Sequence, residues 1–259
     1  SGELDLEAAK KLIAEPNVKL LSLSHASNVL GIINPVKELF AEARTRNIIT
    51  LLDAAQTIGH MPIDVQDLNC DFLAASAHKM YGPTGVGVLF GRAEILEAMP
   101  AFLGGGSMIS AVYADHFTAN QIPDKFEAGT PPIADAIGMA VACSYIKQIG
   151  WEEIIKLENS LVDYAQAEIV KRPYIKLLGG SENKLPVFAF AIDGIHAHDL
   201  ADLLGQDGLI VRAGHHCAQP LHDSLGVVAS LRMSLSFYNT KQEIDRFMIA
   251  LDKIYQSFN

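Results

Sequence analysis

Short apolar runs recur along the first third of the chain, at 18–23, 48–52 and 72–75; a helix-period segment at 5–15 precedes them and another at 36–46 separates the first two. Runs of this length read as buried strands, and strands alternating with helices predict a parallel α/β sheet. In the 5–15 helix, Leu6, Ala9, Leu12 and Ile13 share one face. Pro35 suits the first turn of the 36–46 helix. In such sheets, ligands sit beyond the carboxyl ends of the strands. Asn28, Asp53, Gln56, Ser76, His78 and Lys79 all follow strand ends. One small-molecule site is expected to collect them.

From about Pro131 the pattern changes. Helices are predicted over 134–149 and 152–171, a strand over 187–192, and a helix over 197–206. Strands follow at 209–212 and 230–235, and an amphipathic helix at 241–258. The expected division is a large α/β domain over 1–140 and a smaller α+β domain over 141–259. The net charge of −10 argues against nonspecific nucleic-acid binding and for a small-molecule or protein partner. No apolar run approaches the roughly 20 residues that span a bilayer. Three cysteines, Cys70, Cys143 and Cys217, stand far apart, so a disulfide framework is not expected and a reducing compartment is. Cys70 and Cys143 sit in apolar contexts and are expected in the core.

The segment SAHKMYGPTGVG at 76–87 lies between the run at 72–75 and another at 86–90. A lysine buried there is costly unless its charge is lost or paired. Lys79 is therefore either a loop lysine at the surface or a Schiff-base lysine, whose neutral amine attacks carbonyls. Asp53 is either a cap or an acid paired with a ring nitrogen, as pyridoxal phosphate requires. Gln56 is suited to the same ring's phenolic oxygen, and Ser76 and His78 to its phosphate. In RAGHHCAQP at 212–220, Cys217 is either a small buried hydrophobe or a thiolate favoured by Arg212, His215 and His216. Three consecutive side chains rarely converge on one ion, which disfavours a metal site. Arg232 is either a surface or salt-bridged arginine or a bidentate clamp for a substrate carboxylate.

Taken together, SNVLG at 27–31, DAAQ at 53–56, SAHKMYGPTGVG at 76–87, GGGSM at 104–108, FEAGTP at 126–131, RAGHHCAQP at 212–220 and LRMSLSFYNT at 231–240 resemble the class II (SufS-type) cysteine desulfurases. These are fold-type I pyridoxal-phosphate enzymes in aminotransferase class V. Ala77 departs from the glycine common before the His-Lys pair. The resemblance implies that residues 1–140 are the C-terminal part of the cofactor-binding large domain, with a mostly parallel sheet. Residues 141–259 would be the small domain carrying the catalytic cysteine. It implies Lys79 as Schiff-base lysine and proton carrier, Asp53 on the pyridine nitrogen and Gln56 on the ring oxygen. Ser76 and His78 would hold the phosphate, with Thr130 reaching that of a neighbouring subunit in a homodimer. Asn28 would lie near cofactor and substrate carboxylate, and Arg232 would clamp that carboxylate. Cys217 would take sulfur from L-cysteine as a persulfide, leaving alanine. The sulfur would pass to a SufE/SufU-type acceptor protein for iron–sulfur cluster assembly in the cytoplasm.

The chain starts Ser1-Gly2 and runs into a segment that reads as domain interior. The resemblance covers the C-terminal two-thirds of the family pattern. It implies a missing N-terminal part with a phosphate-binding turn and a ring-stacking histidine, present elsewhere or as a separate chain. His25 belongs to a later part of the pattern and is not that histidine. The alternatives are a non-catalytic dimerisation or acceptor-binding fragment, and a selenocysteine lyase. The roles of His215 and His216 stay open.

Overall fold

The computed structural model describes residues 2–180 and 183–258, so Ser1 lies outside the described residues. The chain forms two compact units. The first comprises Lys10–Ser24 and Val36–Ile149, the second Ser1–Ala9, His25–Pro35 and Gly150–Asn259. Helix α1 (Leu6–Ile13) runs from the second unit into the first.

In the first unit, strands β1 (Leu20–Ser24), β2 (Ile49–Asp53), β3 (Phe72–Ser76) and β4 (Gly87–Gly91) form one sheet in that order. The first three are parallel and β4 is antiparallel to β3. Helices α2 (Val36–Arg44) and α3 (Val65–Leu68) cover one face. There Val36 and Phe40 of α2 meet Leu52, Leu73 and Ala75 of the sheet. Asp64 caps α3 by accepting from the amides of Gln66 and Asp67. Register places Ser24 beside Asp53 and Asp53 beside Ala74, so β1 and β2 end level and β3 runs two residues further, to Ser76. Asp71 clamps the opposite end. It accepts from Thr50 N at 2.8 Å and Thr50 Oγ1 at 3.1 Å, and it faces Arg92 Nε at 3.0 Å and Arg44 Nη2 at 3.3 Å. Helix α4 (Ala93–Ala98), a hairpin of β5 (Ile109–Val112) and β6 (Phe117–Ala119), and α5 (Ile133–Ile149) complete the unit.

The second unit is built on an antiparallel sheet. Its strands are β7 (Ile175–Leu178), β8 (Val187–Ile192), β9 (Arg212–Gly214) and β10 (Ser230–Ser234), in the order β7-β8-β10-β9. The alternation of β8 divides its two faces. Phe188, Phe190 and Ile192 point into a core with α6 (Trp151–Val170), α7 (Ala197–Gln206) and α9 (Lys241–Phe258). On the other face Ala189 meets Val29, Leu30 and Ile32, joined by Leu221 and Leu225 of α8 (Gln219–Leu225).

Three expectations change here. The chain leaves the first unit at 149/150, not at 140/141, because α5 is one unbroken helix and the break comes at Gly150, φ 89°. Residues 25–35 belong to the second unit although they follow β1 in sequence. Gly31 makes this possible, since a Cβ there would stand 2.9 Å from Leu185 O and 3.0 Å from Val187 O, and its φ is +75°. The strand expected over 209–212 forms instead at Arg212–Gly214, where pairing with Ser230–Arg232 is available.

Candidate functional site

The strand-end residues of the first unit surround the close of β2 and β3. Asp53 is the last residue of β2, and its Oδ1 accepts from the Ala55 amide at 2.9 Å while Ser24 Oγ donates to Oδ2 at 3.4 Å. The carboxylate is thus held at the sheet end with acceptor capacity to spare. Gln56 follows in the turn after β2 and is half-buried. Ser76 ends β3, and a single 3₁₀ turn, Ala77–Lys79, buries Ala77 and leaves His78 and Lys79 exposed. Of the two readings left open for Lys79, its exposure accords with the loop position, because this turn rotates the His-Lys pair away from the apolar layer that takes Ala77 and Met80.

The glycines around this turn allow backbone to meet backbone within the chain. A Cβ on Gly59 would stand 2.4 Å from Lys79 O, and one on Gly87 would stand 2.5 Å from Ala75 O. Gly82 lies close to Ala77 O, to which its amide donates at 2.9 Å. Tyr81 adopts a left-handed φ of 65° and donates its hydroxyl to Gly59 O at 3.1 Å. Thr130 is exposed in the bend before α5, and the neighbouring Gly129 amide donates to Gly106 O at 2.8 Å, joining the GGGSM and AGTP segments.

The second cluster lies in the second unit, around Cys217. His216 and Cys217 are consecutive non-glycine residues in the left-handed region, with φ 53° and 63°. Such pairs persist only where surrounding contacts enforce them. Cys217 is exposed. Asn28 Nδ2 donates to His216 O at 2.6 Å, and Arg232 Nη1 donates to Asn28 O at 2.9 Å. Asn28 therefore joins the Cys217 segment and Arg232 rather than Asp53. Burial, and next the Arg212 charge, lower the Arg232 pKa, while Cys217 acts in the opposite direction. Arg232 Nε is buried with no hydrogen-bond partner among the described residues. The segment is not a loop throughout: Arg212–Gly214 is strand β9, and Pro220 lies in the first turn of α8, where its missing amide costs nothing.

Burial chiefly, then the Arg232 charge, pull the His216 pKa down to about 4, so its ring is neutral at physiological pH. Its Nε2 is 3.0 Å from Ser230 Oγ, and Ser230 Oγ is 2.9 Å from His222 Nε2. Sequence reasoning missed His222 and Ser230. The available signal was a histidine on the inward side of a helix that opens with Gln-Pro directly after the cysteine. Cys70 is buried as expected, but Cys143 is exposed, because α5 is apolar on all sides and not every side is covered.

These two clusters stand on a mostly parallel sheet and a small antiparallel one, an α/β architecture, and the chain belongs to the aminotransferase class-V family, which it matches over residues 1–247. It is 47% identical over 254 residues to a probable cysteine desulfurase of Xylella fastidiosa strain 9a5c, covering 98% of this chain and 61% of that protein. Among solved structures it resembles the apo cysteine desulfurase of Thermococcus onnurineus NA1, with a TM-score of 0.94, 37% identity, and 99% of this chain against 64% of that one. The Escherichia coli cysteine desulfurase CsdA in its S-sulfonic acid form gives a TM-score of 0.92 at 37% identity, over 98% of this chain and 63% of that one. The chain thus spans about three fifths of the length of its curated relatives, a little less than the two-thirds expected. No helix among the described residues is long and apolar enough to cross a membrane.

Proposed function

We propose that this chain is the greater part of a pyridoxal-phosphate-dependent cysteine desulfurase, which converts L-cysteine to L-alanine and leaves a persulfide on Cys217. The observation that carries the reading is the exposed Cys217 thiol, held in a left-handed turn, together with a buried, unsatisfied Arg232 Nε in the same cluster. A buried cationic donor without a partner suits a carboxylate. The names of the relatives supply the reaction class.

The residues present fit the cofactor. A carboxylate, Asp53, an exposed amine, Lys79, a hydroxyl, Ser76, and an imidazole, His78, all stand at the carboxyl ends of β2 and β3. When bound, pyridoxal phosphate supplies an electron sink for bonds at the substrate Cα. Asp53 would face the ring nitrogen and Gln56 the ring oxygen, with Ser76 and His78 on the phosphate. Lys79 Nζ would anchor the cofactor and afterwards carry the proton at the substrate Cα. Arg232 and Asn28 orient the substrate carboxylate. The Cys217 thiolate takes the substrate sulfur as the carbon–sulfur bond breaks. A homodimer, with Thr130 reaching the phosphate of the neighbouring subunit, belongs to this reading. So do a SufE/SufU-type acceptor protein, iron–sulfur cluster assembly and the cytoplasm.

Borohydride reduction of the complete protein with pyridoxal phosphate tests the cofactor half. The expected result is one modified peptide, carrying Lys79, that disappears in Lys79→Ala. Modification of a different lysine in the untreated sequence would overturn the assignment.

A further inference from the structure

The Cys217 segment is tied at its flanks by one group distant in sequence and by two near neighbours. His216 O accepts from Asn28, the Ala218 amide donates to His215 O at 2.9 Å, and Ala218 O is 3.0 Å from His222 Nδ1. The His216 and His222 rings meet on a single hydroxyl, Ser230 Oγ. His222 and Ser230 have no exposed surface and His216 is 7% exposed. Among the described residues, the side-chain hydrogen bonds of His222 and Ser230 run to Ala218 O, to His216 and to each other, not to Cys217.

The protons in this network can be placed. A carbonyl only accepts, so His222 Nδ1 must carry the hydrogen it shares with Ala218 O. With its one hydrogen on Nδ1, the imidazole keeps Nε2 as an acceptor, which takes the Ser230 O–H. The hydroxyl proton is then committed, so His216 Nε2 must donate to Ser230 Oγ. His216 Nδ1 is left as a bare lone pair, and it is the ring atom that is buried without a partner. An orphan acceptor is tolerated more readily than an orphan N–H, which agrees with this polarity. The low pKa of His216 keeps the ring in the neutral form that the polarity requires.

We infer that Ser230 and His222 are positioning residues for Cys217: a one-way chain, His216 Nε2–H to Ser230 O–H to His222 Nε2, with His222 Nδ1–H to Ala218 O, closes around the cysteine and holds its left-handed turn. The inference rests on the proposed role of Cys217 as sulfur acceptor. Serine is the smallest side chain that can both donate and accept at this point. Ser230→Ala removes the centre of the chain and leaves two imidazoles facing a gap. Ser230→Thr keeps the hydroxyl.

The test uses the complete protein with its cofactor. Nitrogen-15 NMR of the imidazoles should show neutral His216 with its proton on Nε2 and neutral His222 with its proton on Nδ1. The opposite tautomer at either ring would overturn the chain, whether or not any variant folds. Ser230→Ala should lower kcat for cysteine about five- to a hundredfold, the size of losing the two buried hydrogen bonds that Ser230 Oγ makes. KM and borohydride labelling at Lys79 should not change, and Ser230→Thr should restore kcat. Hydrogen exchange of the peptide spanning 213–221 should quicken in Ser230→Ala by a similar factor. Quicker exchange with unchanged kcat, or no change in either, would overturn the positioning role. Failure of the functional reading is separate: Cys217→Ala would then turn over cysteine normally, while the tautomers and exchange rates stayed as described.

Discussion

Lys184 is 7% exposed, with Nζ 4.3 Å from the centre of the Phe188 ring. Burial lowers its pKa to about 8 from an ordinary value of 10.5. The unfolded chain therefore holds a proton on this amine between about pH 8 and 10.5 that the native state gives up. Stability rises with pH wherever the unfolded state binds more protons, so this group adds stability as pH climbs through that window. Below pH 8 both states are protonated and the cost of burying the charge is felt in full. Lys184→Met keeps the contact with Phe188 and removes the charge. It should raise the melting temperature at pH 7, by a stabilisation on the order of 2–3 kcal/mol. Its advantage over the parent should shrink by pH 10, as measured by paired thermal melts across that range. An advantage that did not vary with pH would show that the amine is not the cause. At the same scale, Lys79 shows why burial could not be read from its neighbours. The apolar runs on either side were legible, but the direction of each side chain was set by a single 3₁₀ turn.

At the scale of elements, the strand ends carry the site, and the turns that follow them must approach one another closely. Gly59 sits in the turn after β2, and a methyl group there would meet Lys79 O at 2.4 Å. Gly59→Ala should therefore push the turn bearing Asp53 and Gln56 away from the turn bearing Lys79. Overpacking of this kind costs about 1–3 kcal/mol. The expected outcome is a lower urea midpoint and weaker pyridoxal-phosphate binding by absorbance titration, although Gly59 has no side chain to contribute. Unchanged binding would mean that the turns can part without harm. The strands β2, β3 and β8 were legible because each is a bounded, mostly apolar run, and β1 and β10 because apolar and polar residues alternate along much of their length. Strand β9 was misplaced because Leu209, Ile210 and Val211 look like a strand, yet Ile210 is 88% exposed. Which three residues pair is decided by the register of β10, and that information lies some twenty residues away in sequence. Asn28 shows the same limit: its place after β1 was visible, but Gly31 and β8 carry it into the other unit. The link from His216 through Ser230 to His222 joins three short segments, and no local pattern announces it.

For the whole molecule, apolar surface remains on β4 and α5. Val88 and Leu89 are 44% and 62% exposed, and Ile137 and Val141 are 62% and 64% exposed. Exposed apolar side chains become interaction sites where they cluster. Helix α5 opens three residues after Thr130, the residue assigned to a neighbouring subunit's phosphate, which agrees with the proposed homodimer. The residues proposed for the cofactor stand in the first unit, and Cys217 and Arg232 in the second. The central claim is that Cys217 receives the substrate sulfur. The most direct measurement is the intact and peptide mass of the complete protein, with pyridoxal phosphate, after a single addition of L-cysteine without acceptor or reductant. The account predicts one extra sulfur atom on the peptide carrying Cys217, alanine released in equal amount, and neither signal in Cys217→Ala, which should still bind the cofactor at Lys79. Alanine released at the normal rate by Cys217→Ala, or the added sulfur on Cys70 or Cys143 instead, would contradict it.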